Sequence, residues 1–287
     1  MPIVTLKEVM DYSIKHTRGI GMFNVVNLDY AEAITEAAEE AQIPVILGFP
    51  EDFFKFHSME AISELLIGFA KRSSVPAVVH IDHGSDFQKL LMAMKMGFTS
   101  VMFDGSALEY EENVRQTREI TKIAHSMGIS VEGELGYLGF ETYDGEVGSE
   151  TSSLDLIQTD RLTNPEQAAD FVNRTGIDAL AIAIGNMHGH YRGIPKLDIK
   201  RLRDIRSAVK CGLVLHGGSG LSDADFTEAV KSGINKINIY TAMNDNVLQF
   251  LRSKISNSKS WIELSYEMKN ELRKQTLQMI KLFACEN

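Results

Sequence analysis

The sequence predicts an α/β fold, a (β/α)8 TIM barrel formed as one domain (1–287) with additional C-terminal helices. Three observations carry this prediction. Short apolar runs recur along the chain and end in polar or glycine residues. Each leads into a stretch whose apolar residues repeat at helical spacing. About eight such units alternate within the 287 residues, with no linker or composition shift between them. Strict alternation implies a parallel sheet with right-handed crossovers, and eight units is the number that closes a barrel. A doubly wound open sheet is the alternative. The GxGxxG or Gly-Lys/Arg-Ser/Thr phosphate loops that would favour it are absent.

The units follow in order. MPIVTLKEVMDYSIKHTRG reads as a short amphipathic helix and lacks the apolar stretch of a signal peptide. GIGMFNVV (19–26) is the first strand, followed by the helical AEAITEAAEEAQ, and PVILGF (44–49) is the second, before a helix from about Ser58 to Lys71. AVVHIDH (77–83) leads into FQKLLMAMKMG, and SVMFDG (100–105) into a helix over about 111–127. ISVEGEL (129–135) precedes an irregular stretch, 136–162, rich in Gly, Ser, Thr and acid. A loop of that length marks a lid, a binding loop or a disordered segment, and it is read here as a mobile active-site loop. Thr163-Asn164-Pro165-Glu166 then supplies an N-cap and a first-turn proline, so a helix restarts there. DALAIAIG (178–185), GLVLHGGSG (212–220) and NKINIY (235–240) complete the strands, each followed by a helix.

Composition narrows the function. A hydrophobic content of 44% and a charged content of 24% allow a sizeable core in a soluble chain. The net charge of −10 argues against general nucleic-acid binding, but backbone N–H groups can still hold a small phosphate ester. Cys211 and Cys285 stand in no ligand-like spacing, so neither a disulfide framework nor a cysteine metal site is expected. No apolar run approaches membrane-spanning length. A cytoplasmic enzyme is the expectation.

Barrel enzymes gather their chemistry at the carboxyl ends of the strands. Those positions are Asn24, then Asp82 and His83, Asp104, Glu132 and Glu134, His188, His216, and finally Asn238 with Thr241. Three histidines on one rim suit an open zinc site, in which three imidazoles leave a position for substrate. Each alone is more often a hydrogen-bonded structural residue, and His190 lies close enough to His188 to be confused with it. His80, inside its strand, reads as core or as support for the site. His16, His57 and His125 read as surface residues, as do Lys231 and Lys236. HGGSG (216–220) can cradle an anion through successive N–H groups and a serine hydroxyl. The plainer reading is a glycine-rich turn before a helix capped by Ser222.

VHIDHG, GFTSVMFDGS, VEGELG, AIAIGNMHGHY, LVLHGGSG and KINIYT resemble, in order and over nearly the whole chain, the signature segments of class II ketose-bisphosphate aldolases. The likeness is greatest to the tagatose- and fructose-bisphosphate branch. It implies reversible, zinc-dependent cleavage of a ketose (bis)phosphate to dihydroxyacetone phosphate and an aldehyde, through a metal-stabilised enediolate. It implies His83, His188 and His216 as zinc ligands, and Asp82 as the acid–base acting on the aldehyde-derived hydroxyl. Glu134 would be a carboxylate near the metal. Gly189, Gly217, Gly218, Ser219, Asn238 and Thr241 would hold the substrate phosphate. A sodium or potassium ion beside the phosphate and a homodimeric or homotetrameric assembly are also implied.

Several positions depart from the family pattern. Phe140 replaces a glycine, and Thr142 falls where the proton-abstracting glutamate is expected. Glu141 is the adjacent candidate for base or loop carboxylate, with Glu146 available if the loop folds differently. Pro50-Glu51-Asp52 replaces Ser-Glu-Gly, and Tyr240 and Ala242 stand where small or acidic residues are common. Fructose 1,6-bisphosphate or tagatose 1,6-bisphosphate is therefore the default substrate, with altered acceptor specificity open. A non-catalytic phosphosugar-binding barrel and a metal-dependent isomerase or epimerase are the other functions the same residues allow.

Overall fold

The computed structural model describes residues 3–136, 161–189, 191 and 194–286. Its eight parallel strands close in sequence order, the first pairing with the last. They are β1 (Ile20–Asn24), β2 (Val45–Pro50), β3 (Ala77–Gly84), β4 (Ser100–Phe103), β5 (Ser130–Leu135), β6 (Ala179–Ile182), β7 (Gly212–Leu215) and β8 (Lys236–Ile239). The described helices between them are α2 (Leu28–Ala41), α3 (Met59–Arg72), α4 (Phe87–Met96), α5 (Tyr110–Ser126), α6 (Pro165–Thr175), α7 (Ile199–Ala208) and α8 (Asp223–Lys231). A helix α1 (Leu6–His16) precedes the barrel, and α9 (Thr241–Lys254) and α10 (Trp261–Phe283) follow it. The predicted barrel and its added C-terminal helices are both present.

Local sequence explains the boundaries. Asn164 caps α6 by accepting from the Gln167 N–H, with Pro165 in the first turn where its missing N–H costs nothing. Ser222 and Asp225 form a reciprocal capping box at the start of α8. The strands are buried along nearly their whole length, as a sheet covered on both faces requires.

The two ends of the barrel are unlike. At the amino end, α1 closes the bottom: the Lys7 N–H donates to Ser130 Oγ at 3.0 Å, and Asn235 donates to Ser13 Oγ at 3.0 Å. Met10 fills the space above Gly212, where a Cβ would meet its sulfur at 2.5 Å. The carboxyl end carries the polar strand termini. Helix α10 packs along α2, with Lys269 reaching Glu32 at 2.8 Å and Arg273 reaching Glu40 at 2.5 Å.

Candidate metal and phosphate site

Adjacent residues of a strand point to opposite faces, so Asp82 and His83 should not both face one site. The backbone of β3 resolves the conflict. Its register with β4 shifts between Ile81 and Gly84, and His83 adopts a left-handed φ of 49°. A non-glycine residue there costs about 1–3 kcal/mol and is retained where surrounding structure demands it. The result brings the His83 ring beside His216 while Asp82 stays buried against Asn238, whose Nδ2 donates to Asp82 Oδ1 at 3.1 Å.

His83, His188 and His216 converge, one ring nitrogen from each lying within 4.8 Å of the others. His83 Nε2 and His216 Nδ1 are 3.0 Å apart. The far nitrogens of these two rings are held by carboxylates: His83 Nδ1 by Asp104 at 2.9 Å and His216 Nε2 by Glu132 at 2.8 Å. Each carboxylate accepts an N–H and so turns the lone pair of the opposite nitrogen inward. Two facing lone pairs at 3.0 Å repel unless a proton or a cation lies between them. A tetrahedral zinc with nitrogen bonds of about 2.0 Å spaces its ligands by about 3.3 Å, close to this separation. The carboxylate–histidine arrangement is also the usual support of a metal-bound imidazole. The residues fit a metal.

Electrostatics point the same way. Burial opposes a charge on His83, but Asp82, Asp104 and Glu134 outweigh it and push the imidazole up to about 10. With that charge placed, His188 is pushed down to about 4 by burial and by His83. Burial, His83 and Lys236 hold His216 well below its ordinary value. Burial also raises Glu134 well above the carboxylate range, reinforced by Asp104. Glu134 Oε2 is buried without a hydrogen-bond partner, and the residue forms a second donor group with His83 and Asp104. The pocket thus concentrates carboxylates around a place for positive charge.

The glycine-rich turn after β7 lies against the segment after β6. A Cβ on Gly217 would fall 2.1 Å from the Met187 carbonyl oxygen, and its φ is 63°. Tyr191 braces the contact, its hydroxyl donating to the Gly217 carbonyl at 2.9 Å and accepting from the Met187 N–H at 3.2 Å. Gly189 also has a positive φ, 80°, and the Gly218 Cα lies close under Ile239 and Asn238 of β8. Ser219 Oγ accepts from the Ala242 N–H at 3.1 Å, tying this turn to the start of α9. That helix begins at Thr241, and its N-cap residue Tyr240 supplies no side-chain cap. Apart from the Ala242 N–H, which Ser219 takes, the first N–H groups of this helix have no side-chain cap, and beside a glycine turn such a start can hold an anion. Gly217→Ala is expected to lower the melting temperature by about 5 °C and to weaken phosphate binding. An unchanged melting curve would contradict the tight approach described here.

The sequence-predicted residues Asp82, Glu134, Asn238 and the three histidines therefore come together, and Gly217, Gly218, Ser219 and Thr241 form the adjoining turn and helix start. Glu141, Phe140, Thr142, Glu146 and His190 lie outside the described residues. One expectation is corrected. Lys236 is not a surface residue: it is fully buried, with Nζ 2.8 Å from Glu132 Oε2 as an ion pair not aligned as a hydrogen bond. His80 is fully buried and supports the interior, its Nδ1 paired with Ser100 Oγ at 2.8 Å. Two departures from the family pattern meet in space. Phe53, in the 3-10 turn after Pro50, packs edge-on to Tyr240 with ring centroids 5.4 Å apart. Glu51, from the same turn, accepts from the Ser85 and Asp86 N–H groups at 2.9 Å and pairs with Lys89 at 3.1 Å, so it serves structure.

The fold is a closed (β/α)8 barrel whose carboxyl rim brings together three histidines able to hold a metal ion, beside a glycine-rich turn. The family model described as "Fructose-bisphosphate aldolase class-II" matches residues 4–287, and the chain belongs to that family. Class II aldolases are metal-dependent lyases acting on phosphorylated sugars. The chain is 38% identical over 276 residues to the uncharacterized protein YdjI of Escherichia coli K12, covering 96% of this chain and 95% of that one. It is 38% identical over 256 residues to the fructose-bisphosphate aldolase of Geobacillus stearothermophilus, covering 88% of this chain and 85% of that one. The crystal structure of the YdjI aldolase from Escherichia coli K12 superposes with a TM-score of 0.85 at 33% identity, covering 99% and 98% of the two chains. Among the described residues, no helix is long and apolar enough to cross a membrane.

Proposed function

We propose that this protein catalyses the reversible zinc-dependent cleavage of a ketose phosphate to dihydroxyacetone phosphate and an aldehyde. Fructose 1,6-bisphosphate or tagatose 1,6-bisphosphate is the default substrate. The observation that carries this reading is the convergence of three imidazoles, two of them oriented by Asp104 and Glu132. His83, His188 and His216 would hold the ion, with Glu134 as the nearby carboxylate. When bound, zinc would supply Lewis-acid stabilisation of negative charge developing on the ketose oxygens.

The chain's own groups do the rest. Gly189, Gly217, Gly218, Ser219 and Thr241 hold the phosphate through N–H groups and hydroxyls, with the α9 start adding its dipole. Asn238 lies between this cradle and Asp82, so it bears on both phosphate and acid–base chemistry. Asp82, deeply buried and held by Asn238, takes the proton of the aldehyde-derived hydroxyl in cleavage and returns it in condensation. Glu141 remains the candidate for the base that removes the donor carbon's proton, on sequence grounds alone. A sodium or potassium ion would sit beside the phosphate, as the resemblance to class II aldolases implies. A homodimer or homotetramer would form through the exposed Leu248, Trp261, Ile262 and Tyr266 of the last two helices, with Ile255 between them.

The test is cleavage of both bisphosphates by zinc-loaded protein, followed by condensation of dihydroxyacetone phosphate with a panel of aldehydes. Zinc-dependent product is expected from at least one partner. Turnover of none, or rearrangement of the sugar without carbon–carbon cleavage, would overturn the reading.

A further inference from the structure

Barrel interiors are usually filled by layers of Val, Ile and Leu. Here the region beneath the histidine cluster holds His80 from β3, Glu132 from β5 and Lys236 from β8, all fully buried. Burying ions is costly, and an ion pair there is often no more stabilising than apolar residues of like size. Packing alone therefore gives no reason for this trio.

The geometry of Glu132 supplies one. Its Oε1 accepts from His216 Nε2 at 2.8 Å, and its Oε2 lies 2.8 Å from Lys236 Nζ and 3.7 Å from His80 Nε2. One carboxylate therefore joins a metal-pocket imidazole to a buried ammonium. The direction of the His216 ring depends on which way Glu132 Oε1 points. Among the described residues, Lys236 is the cation in contact with the other oxygen. It also lies two residues before Asn238 on β8, so the same face of that strand carries both.

We propose that Lys236 is a positioning residue for the metal ligand His216. It anchors Glu132, Glu132 holds the His216 Nε2–H, and Nδ1 is thereby directed at the ion. This rests on the reading of His83, His188 and His216 as the metal site. Lys236 takes no part in bond making.

The test measures zinc affinity by chelator competition and the visible bands of the cobalt-substituted protein, for wild type, Lys236→Met, Glu132→Gln and the double variant. Loss of a support one step behind a ligand costs about 10- to 100-fold in metal affinity. Lys236→Met is expected to lose that much and to shift the cobalt bands. Because the lysine acts through Glu132, the double variant is expected to bind metal as well as Glu132→Gln alone, or better, since no unpaired ion remains buried. Should Lys236→Met fail to fold, this last comparison still decides. Unchanged zinc affinity and cobalt bands in a folded Lys236→Met would make the lysine a packing residue and overturn the proposal. So would a double variant that binds metal more weakly than Glu132→Gln. Absence of tight zinc binding by the wild type would instead sink the metal-site reading itself.

Discussion

His83→Ala is expected to strip the bound metal and to lower aldol cleavage by at least about 10³-fold, since Lewis-acid stabilisation supplies several kcal/mol. The effect comes from more than one lost nitrogen. The His83 ring is the group to which Asp82, Asp104 and Glu134 all direct negative charge. Asp104 is held below the usual carboxylate range against its own burial, chiefly by its bond to His83. Removing the ring leaves that half-buried carboxylate with Ser106 as its remaining hydrogen-bond partner and opens the pocket. Metal content by atomic emission, measured with residual cleavage, checks both halves. Retention of stoichiometric zinc by the variant would mean that the ligand set differs from the one proposed.

Asp82→Asn should behave differently. Asparagine keeps the shape and can still accept the Asn238 Nδ2 hydrogen bond through its carbonyl oxygen. The metal pocket should stay intact, while cleavage falls by about 10²- to 10⁴-fold, the usual worth of a positioned acid–base. In the proposed mechanism, loading and deprotonating dihydroxyacetone phosphate does not need Asp82. The variant is therefore expected to keep zinc and to keep exchanging the donor proton with solvent while forming no carbon–carbon bond. Parallel loss of exchange and cleavage would place Asp82 in the first half of the reaction instead.

Much of this is legible in the sequence, because short continuous apolar runs and strand-end chemistry are local signals. Asn164-Pro165 and Ser222 mark helix starts by rules that need no tertiary information. The strand-end reading puts neighbouring Asp82 and His83 on one rim, and the family resemblance implies their roles. Simple alternation would have separated them, and the left-handed turn at His83 that reconciles the two is a product of the closed barrel. Lys236 shows the opposite failure. A lysine beside a strand reads as solvated, since burying an ammonium is expensive unless it is paired, and its partner Glu132 is 104 residues away in sequence. Its spacing of two from Asn238 was the available signal for an inward position. The Pro50-Glu51-Asp52 segment and Tyr240 are separate departures in sequence, and barrel closure sets β8, β1 and β2 side by side so that Phe53, from the same turn, meets Tyr240.

The proposed activation of dihydroxyacetone phosphate depends on a zinc ion held by three histidines. Its most direct test is exchange of the donor's C3 proton with heavy water, followed by NMR in metal-free, zinc-loaded and chelator-treated protein. Exchange should appear only with zinc, vanish on chelation and return when zinc is restored. Exchange that is indifferent to chelation, or absent from the zinc-loaded protein, would contradict it.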